Sequence, residues 1–155
     1  MRYLLTLSLF LLTAVAFFTA CSSSKDALPG QKFHSSILMK KTQRYIPADA
    51  TLFRPEKSEL RLVETILKKA FQEQMLTKDF GSPVRLQEYS RQYLGYTDAE
   101  GNRIVFVQCF IREWERGEHW RENFFYVDDG CEGVFRVKIN LKNHNYFNFN
   151  HNPCA

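Results

Sequence analysis

The side chains able to do chemistry fall in a few short stretches of this 155-residue chain. Glu115, Glu118, His119 and Glu122 are donor types for a metal ion, and a helix would gather the last three. Gly117 and the strand-like sequence on either side favour a charged, solvated loop instead. His144 and His151 suit zinc or copper, but zinc requires three or four ligands at defined spacing. Asp128, Asp129 and Glu132 surround Gly130 without the spacing of an EF-hand, so a turn is expected there. Cys131 with His119 or His144 would make a nucleophile and its base, yet no local signature marks that cysteine. A Gly-rich phosphate loop, a G-x-S-x-G elbow and an H-E-x-x-H helix are all missing from the sequence. We therefore expect no catalytic residue, no metal ligand and no cofactor.

Aromatic and arginine side chains are the more informative set. Tyr93, Arg112, Trp114, Arg116, Trp120 and Arg121 have the composition of a binding patch, in which rigid rings and guanidinium groups dominate recognition. Tyr89, Tyr126 and Arg91 extend the same theme. The competing reading is that these large rings pack a small sheet. A patch of this kind would suit a protein, peptide or glycan.

The amino terminus carries a different kind of information. Arg2 is followed by an uncharged apolar run from Leu4 to Phe18, then by small residues Thr19 and Ala20, then by Cys21. Charge, apolar run and small-residue cleavage site, in that order, make a secretory signal peptide. The run is about 15 residues, short of the roughly 20 that span a bilayer. Phe18-Thr19-Ala20-Cys21 resembles the bacterial lipobox, with Phe18 in place of the usual Leu. The resemblance implies cleavage before Cys21 and lipidation of its sulfur. Ser22, Ser23, Ser24 and Lys25 form a polar tether of the kind lipoproteins carry, and Ser22 in place of Asp implies sorting to the outer membrane of a Gram-negative cell. Buried acyl chains contribute about 0.8 kcal/mol per methylene, so several of them anchor a protein stably.

Cleavage would remove Arg2 and no acid, leaving 20 basic against 17 acidic residues in a chain whose full net charge is +4. So weak a positive balance gives no argument for nucleic acid as partner. Cys109, Cys131 and Cys154 would remain beside the lipidated cysteine. Outside the cytoplasm cysteines oxidise in pairs, so an odd count leaves one free or joined to another chain. Their pairing stays open.

These residues need elements to position them. Residues 1–20 read as signal peptide, 21–35 as lipidated tether and 36–155 as one domain. Within 36–50, Ile37, Leu38, Met39, Tyr45 and Ile46 are too apolar for a linker and suggest a short strand or a docked segment. The clearest helix is 55–76, with Pro55 at its first position and Glu56 and Glu59 in its first turn. Leu60, Val63, Ile66, Leu67, Ala70 and Phe71 recur at three and four residues and make one apolar stripe, with Leu62 broadening it. Asp79, Gly81 and Pro83 end that region.

The period then changes to two. Residues 86–97 put Tyr89, Arg91 and Tyr93 on one face and Leu94 and Tyr96 on the other. A turn at 98–102 leads into 103–112, a β-branched apolar run expected to be buried on both faces and to form a hairpin with 86–97. Residues 113–122 read as a charged loop and 123–128 as a third strand. In 133–141, Phe135, Val137, Ile139 and Leu141 alternate with Val134, Arg136, Lys138 and Asn140. A turn at 142–145 precedes a last short strand, 146–149. The expected fold is α+β: one long helix packed on a curled antiparallel sheet of four to five strands, with Phe135, Val137, Ile139 and Phe147 facing the helix.

This order resembles the cystatin-like and NTF2-like α+β architectures. Arg91-Gln92-Tyr93-Leu94-Gly95-Tyr96, Asp128-Asp129-Gly130-Cys131 and the end from Asn152 to Ala155 are similar to stretches of small lipoproteins of Gram-negative bacteria. The inhibitory Gln-x-Val-x-Gly loop of cystatins is missing, so protease inhibition by that route is not implied. The function expected is that of a lipid-anchored envelope protein, a non-catalytic binding module touching the membrane through Cys21. The alternative is a small-ligand-binding or enzymatic domain with a pocket between helix and sheet.

Overall fold

The computed structural model describes residues 33–75, 85–115, 117 and 119–153. The expected signal peptide, Cys21, most of the tether and the helix stop at Asp79, Gly81 and Pro83 lie outside these residues. The described residues begin at Phe33, before the expected domain start at 36. The Phe33 ring lies 3.6 Å from the Arg91 guanidinium carbon, and Ser35 opens the first strand.

The elements are β1 (Ser35–Ile37), β2 (Thr51–Phe53), α1 (Lys57–Gln74), β3 (Tyr89–Thr97), β4 (Arg103–Ile111), β5 (Val134–Asn140) and β6 (Asn145–His151). The fold is α+β, with one long helix on a single sheet. Among the described residues the sheet has six strands, ordered β1-β3-β4-β5-β6, with β2 also pairing β3. The sheet is mixed, which corrects the expectation of an antiparallel one: β1 runs parallel to β3, with Ser36 opposite Gln92. β2 takes the remaining length of the same edge, antiparallel, with Phe53 opposite Gly95. A Cβ at residue 95 would lie 2.6 Å from the Phe53 carbonyl oxygen, so this close approach requires glycine.

The helix forms where its pattern places it. Glu56 is its N-cap, and the Glu56 backbone N–H donates to Glu59 Oε2 at 2.9 Å. Pro55 therefore precedes the cap instead of opening the first turn. Leu60, Val63, Ile66, Leu67, Ala70 and Phe71 are all buried against Tyr89, Tyr93, Val105, Val107, Cys109, Phe135, Val137 and Ile139. Each of the larger aliphatic side chains and phenylalanines taken fully from water contributes about 1.5–3 kcal/mol. Phe71 meets Tyr89 and Phe135 with ring centroids 6.0 and 5.6 Å apart.

The β3–β4 hairpin forms as expected, with Tyr89 opposite Ile111 and Thr97 opposite Arg103. Its turn is closed by the Asn102 N–H on Asp98 Oδ1 at 2.8 Å, with Gly101 at φ 79°. β5 alternates as its sequence does. Phe135, Val137 and Ile139 face the helix, and Arg136 lies on the far side of the sheet.

Two expectations fail on that far side. Residues 123–128 form no strand, and the segment lies across the sheet instead of joining its edge. β6 also breaks the simple alternation. Tyr146 pairs with Ile139 and Phe147 with Lys138, but Asn150 pairs with Arg136, so one extra residue is accommodated between. Asn148, at φ 50°, sits in this β-bulge. The bulge brings Phe149 onto the helix side, stacked 5.2 Å from Phe135. Phe147, expected to face the helix, packs with Leu94, Tyr96 and Phe106 on the opposite side.

Candidate functional site: a cationic groove on the far face of the sheet

The face turned away from the helix is covered by irregular chain, residues 38–50 and, farther on, 114, 115 and 119–130. Leu38, Ile46 and Ala50 pack on Leu94, Tyr96, Ile104 and Phe106. Trp120 packs edge-on against Phe110, while Phe125 stacks on the same ring at 4.4 Å.

A row of four buried polar side chains holds the second of these segments in place. Gln92, Gln108 and Arg136 are directly opposite one another on β3, β4 and β5. Gln108 Nε2 donates to Gln92 Oε1 at 3.2 Å, and Arg136 Nε donates to Gln108 Oε1 at 2.7 Å. Arg136 Nη1 continues the row to Asn152 Oδ1 at 2.5 Å. The row then satisfies the backbone lying over it. Gln92 donates to the Trp120 and Asn123 carbonyls and accepts from the Phe125 N–H. Gln108 donates to the Phe125 carbonyl, and Asn152 donates to the carbonyls of Val127 and Asp129 at 2.7 Å each. These bonds explain why 123–128 forms no strand: sheet side chains take the backbone groups that a neighbouring strand would otherwise pair.

Arg136 is only 4 % exposed, and it donates to the neutral oxygens of Gln108, Asn152 and Val127. Burial lowers its pKa, while the nearby Tyr45 and Asp128 oppose that effect. Its guanidinium carbon lies 5.0 Å from the Tyr45 ring centroid. Tyr45 in turn stacks on Phe106 at 5.2 Å.

Above this charge is an open groove of about 440 Å³, lined by Arg44, Tyr45, Phe106, Lys138, Asn148, Phe149 and Asn150. Lys138 rises from β5 between its register partners Phe106 and Phe147. Its ammonium lies 5.8 Å from the Tyr96 ring, and it has no hydrogen-bond or ion-pair partner among the described residues. Half-burial lowers its pKa. Arg44 pairs with Asp128 at 2.9 Å in the open. The β6 bulge places Asn148 and Asn150 on the rim, with the Asn150 amide donating to the Asn148 carbonyl.

The residues singled out from sequence are dispersed. Tyr93 is in the helix-side core, 1 % exposed, with its hydroxyl donating to Glu64 Oε1 at 2.6 Å. Trp120 is buried at 3 %, with the Arg121 guanidinium 4.5 Å from its ring. Trp114 is half-buried and leans on the 130–133 turn. A Cβ at Gly130 or Gly133 would lie 2.6 or 2.5 Å from its Cη2. Trp114 lines, with Phe125, Val127, Asp129 and Gly130, a second groove of about 360 Å³. Arg112 donates to the Gln87 carbonyl at 2.9 Å. Arg116 lies outside the described residues. Trp114, Trp120 and Arg121 therefore share the far face, whereas Tyr93 is on the opposite one. Tyr89 is also core, donating to the Glu132 carbonyl at 2.7 Å.

The other candidates also have structural partners. Glu115 receives the Ser90 hydroxyl and pairs with His34 Nδ1 at 2.8 Å. His144 is in the turn before β6 and His151 is the last residue of that strand, so the two stand at opposite ends of it. No group of three or more His, Cys, Asp or Glu side chains fit to hold a metal is found among the described residues. Cys131 is disulfide-bonded, so it has no thiol to act as a nucleophile, and its partner is outside the described residues. Its backbone N–H donates to the Pro153 carbonyl at 3.2 Å. Cys109 is free and fully buried, and burial pushes its thiol pKa far up. Lys138 and the two asparagines were not marked by sequence reasoning. The one signal was Lys138 in an otherwise well-alternating strand.

No helix among the described residues is long and apolar enough to cross a membrane. Comparison with protein families, curated proteins and solved structures finds no match to this chain.

Proposed function

We propose that this chain is exported, lipidated on Cys21 and held at the outer membrane, where its folded part serves as a non-catalytic binding module. One observation carries the reading: Arg2, the uncharged run Leu4–Phe18, Thr19-Ala20 and Cys21 stand in the order that export and lipid attachment require. A polar stretch from Ser22 to Lys25 follows and separates the anchor from the first strand. The disulfide at Cys131 accords with an oxidising compartment. The open groove between Arg44 and Lys138 supports binding as the activity of the domain.

Mass spectrometry of the mature protein tests the anchor. The expected amino terminus is Cys21 carrying acyl chains, and Cys21→Ser should move the protein from the membrane fraction to the soluble one. A product that retains residues 1–20, or begins at an unmodified thiol, would overturn the reading.

A further inference from the structure

We propose that the groove between the β6 bulge and the 38–50 segment binds a small hydroxylated oxyanion, a sugar phosphate or a sugar acid. The inference rests on the reading of the domain as a binding module. It does not depend on the lipid.

Charge selects the class of ligand. Arg44 and Lys138 line the groove, and Arg136 lies beneath it against Tyr45. Asp128 is the acid engaged with this group, and it already pairs with Arg44. The local balance is positive, and an oxyanion would meet it.

Lys138 gives the sharper argument. A surface lysine normally extends its ammonium into water. Here β5 sets the side chain between Phe106 and Phe147, where its ammonium approaches the Tyr96 ring but has no hydrogen-bond or ion-pair partner among the described residues. Burial disfavours its charge. A bound anion would restore the lost solvation, and a charge-assisted hydrogen bond is stronger in such a half-dry site than in water.

The rim supplies the second half of the recognition. Asn148 and Asn150 are exposed, and each side-chain amide both donates and accepts hydrogen bonds. That capacity suits hydroxyl groups, which do the same. The bulge at Asn148 turns the strand so that both amides border the volume that Lys138 enters. About 440 Å³ falls within the usual range for a small-molecule site.

The test uses the full chain purified from envelopes in a polyoxyethylene detergent, which has no sugar headgroup to compete. Calorimetric titration with glucose 6-phosphate, glucuronate, glucose and inorganic phosphate separates the contributions. Saturable binding is expected for glucose 6-phosphate or glucuronate, and whichever binds tighter names the anion. Inorganic phosphate should bind at least about tenfold more weakly, and glucose should not bind. Lys138→Gln should weaken the bound sugar by about tenfold, and Lys138→Arg should restore most of the affinity. Arg44→Gln should cost only about threefold, because Arg44 is exposed and shared with Asp128. Circular-dichroism melts of each variant confirm that the fold is kept. No heat with either charged sugar would overturn the proposal. So would equal binding of glucose, equal binding of inorganic phosphate, or unchanged affinity in Lys138→Gln. These outcomes are independent of the amino-terminal mass that tests the anchor.

Discussion

The two faces of the sheet are closed by different physics. On one face a regular helix lays an apolar stripe over apolar side chains, and area removed from water does the work. On the other, residues 38–50 pack by apolar contact at one end, while residues 119–130 lie over a row of buried amides and one guanidinium whose hydrogen bonds fix their position. The helix satisfies its own backbone, so its partner surface needs only shape and apolarity. An irregular segment cannot satisfy itself, so its partner surface must carry donors and acceptors at the right places. The difference teaches where a binding site is affordable. A face already built from polar and charged groups can leave one cation, Lys138, at an opening.

The helix face is not wholly apolar. Arg91 is 1 % exposed and donates to the Leu86 carbonyl at 2.8 Å and to the Tyr89 carbonyl. Its Nε lies 3.5 Å from Glu64 Oε1, the oxygen that also accepts the Tyr93 hydroxyl. Desolvation raises the Glu64 pKa more than Arg91 lowers it. This pair stands between Tyr89 and Tyr93 of the apolar cluster, whereas the row on the other face links three strands to the segment over it.

The comparison breaks most sharply at Arg136. Arg136→Ala would leave Gln108 Oε1, Asn152 Oδ1 and the Val127 carbonyl with fewer donors in a dry place, and should cost about 4 kcal/mol. The loss should be local first: hydrogen exchange at 120–129 should rise ahead of exchange in α1. Uniform loosening of both faces would show that the row does not act as described. Leu67→Ala, on the helix face, should cost about 3 kcal/mol in chemical denaturation. Its effect should be global, with 120–129 and α1 losing protection together.

A smaller effect is expected at the bulge. Asn148 holds a left-handed conformation that asparagine tolerates and most side chains do not. Asn148→Ala should destabilise by about 1 kcal/mol, while Asn148→Gly should be close to neutral. Equal losses in both variants would mean that the amide, not the backbone, secures the bulge.

The smallest expected effect is electrostatic. Because the folded pKa of Glu64 stands above its ordinary value of 4.5, the folded state takes up a proton more readily than the unfolded chain. Stability contributed through this group is lowest at neutral pH, rises as pH falls through the raised pKa, and levels off below about 4.5. The difference in melting temperature between Glu64→Gln and the parent should therefore shrink on acidification. A difference that grows as pH falls would reverse the sign assigned to that carboxyl.

Much of one face was legible in the sequence. The stripe from Leu60 to Phe71, the alternation of β5 and the 98–102 turn follow from spacing alone, and the structure keeps them. The other face was legible only in composition. Trp114, Trp120 and Arg121 stand out as unusual, and they lie together largely as the packing of one irregular segment on the sheet. Residues 123–128 have strand-like composition, and nothing local reveals that Gln92, Gln108 and Asn152 will take their backbone groups. Phe147 faces away from the helix because the turn sets Asn145 opposite Asn140 and so Phe147 opposite Lys138, while the left-handed Asn148 moves the residue after it, Phe149, to the helix side.

Periodicity is a property of neighbours along the chain, so the sequence by itself determined the helix, the hairpin and the two-sided character of β5. Partner choice is a competition among groups distant along the chain. Only the tertiary structure decided that β1 lies parallel to β3, that a polar row holds 120–129, and that Lys138 opens into a groove beside Asn148 and Asn150. A backbone amide looks the same in every sequence, and which oxygen it meets depends on the folded arrangement of the whole chain.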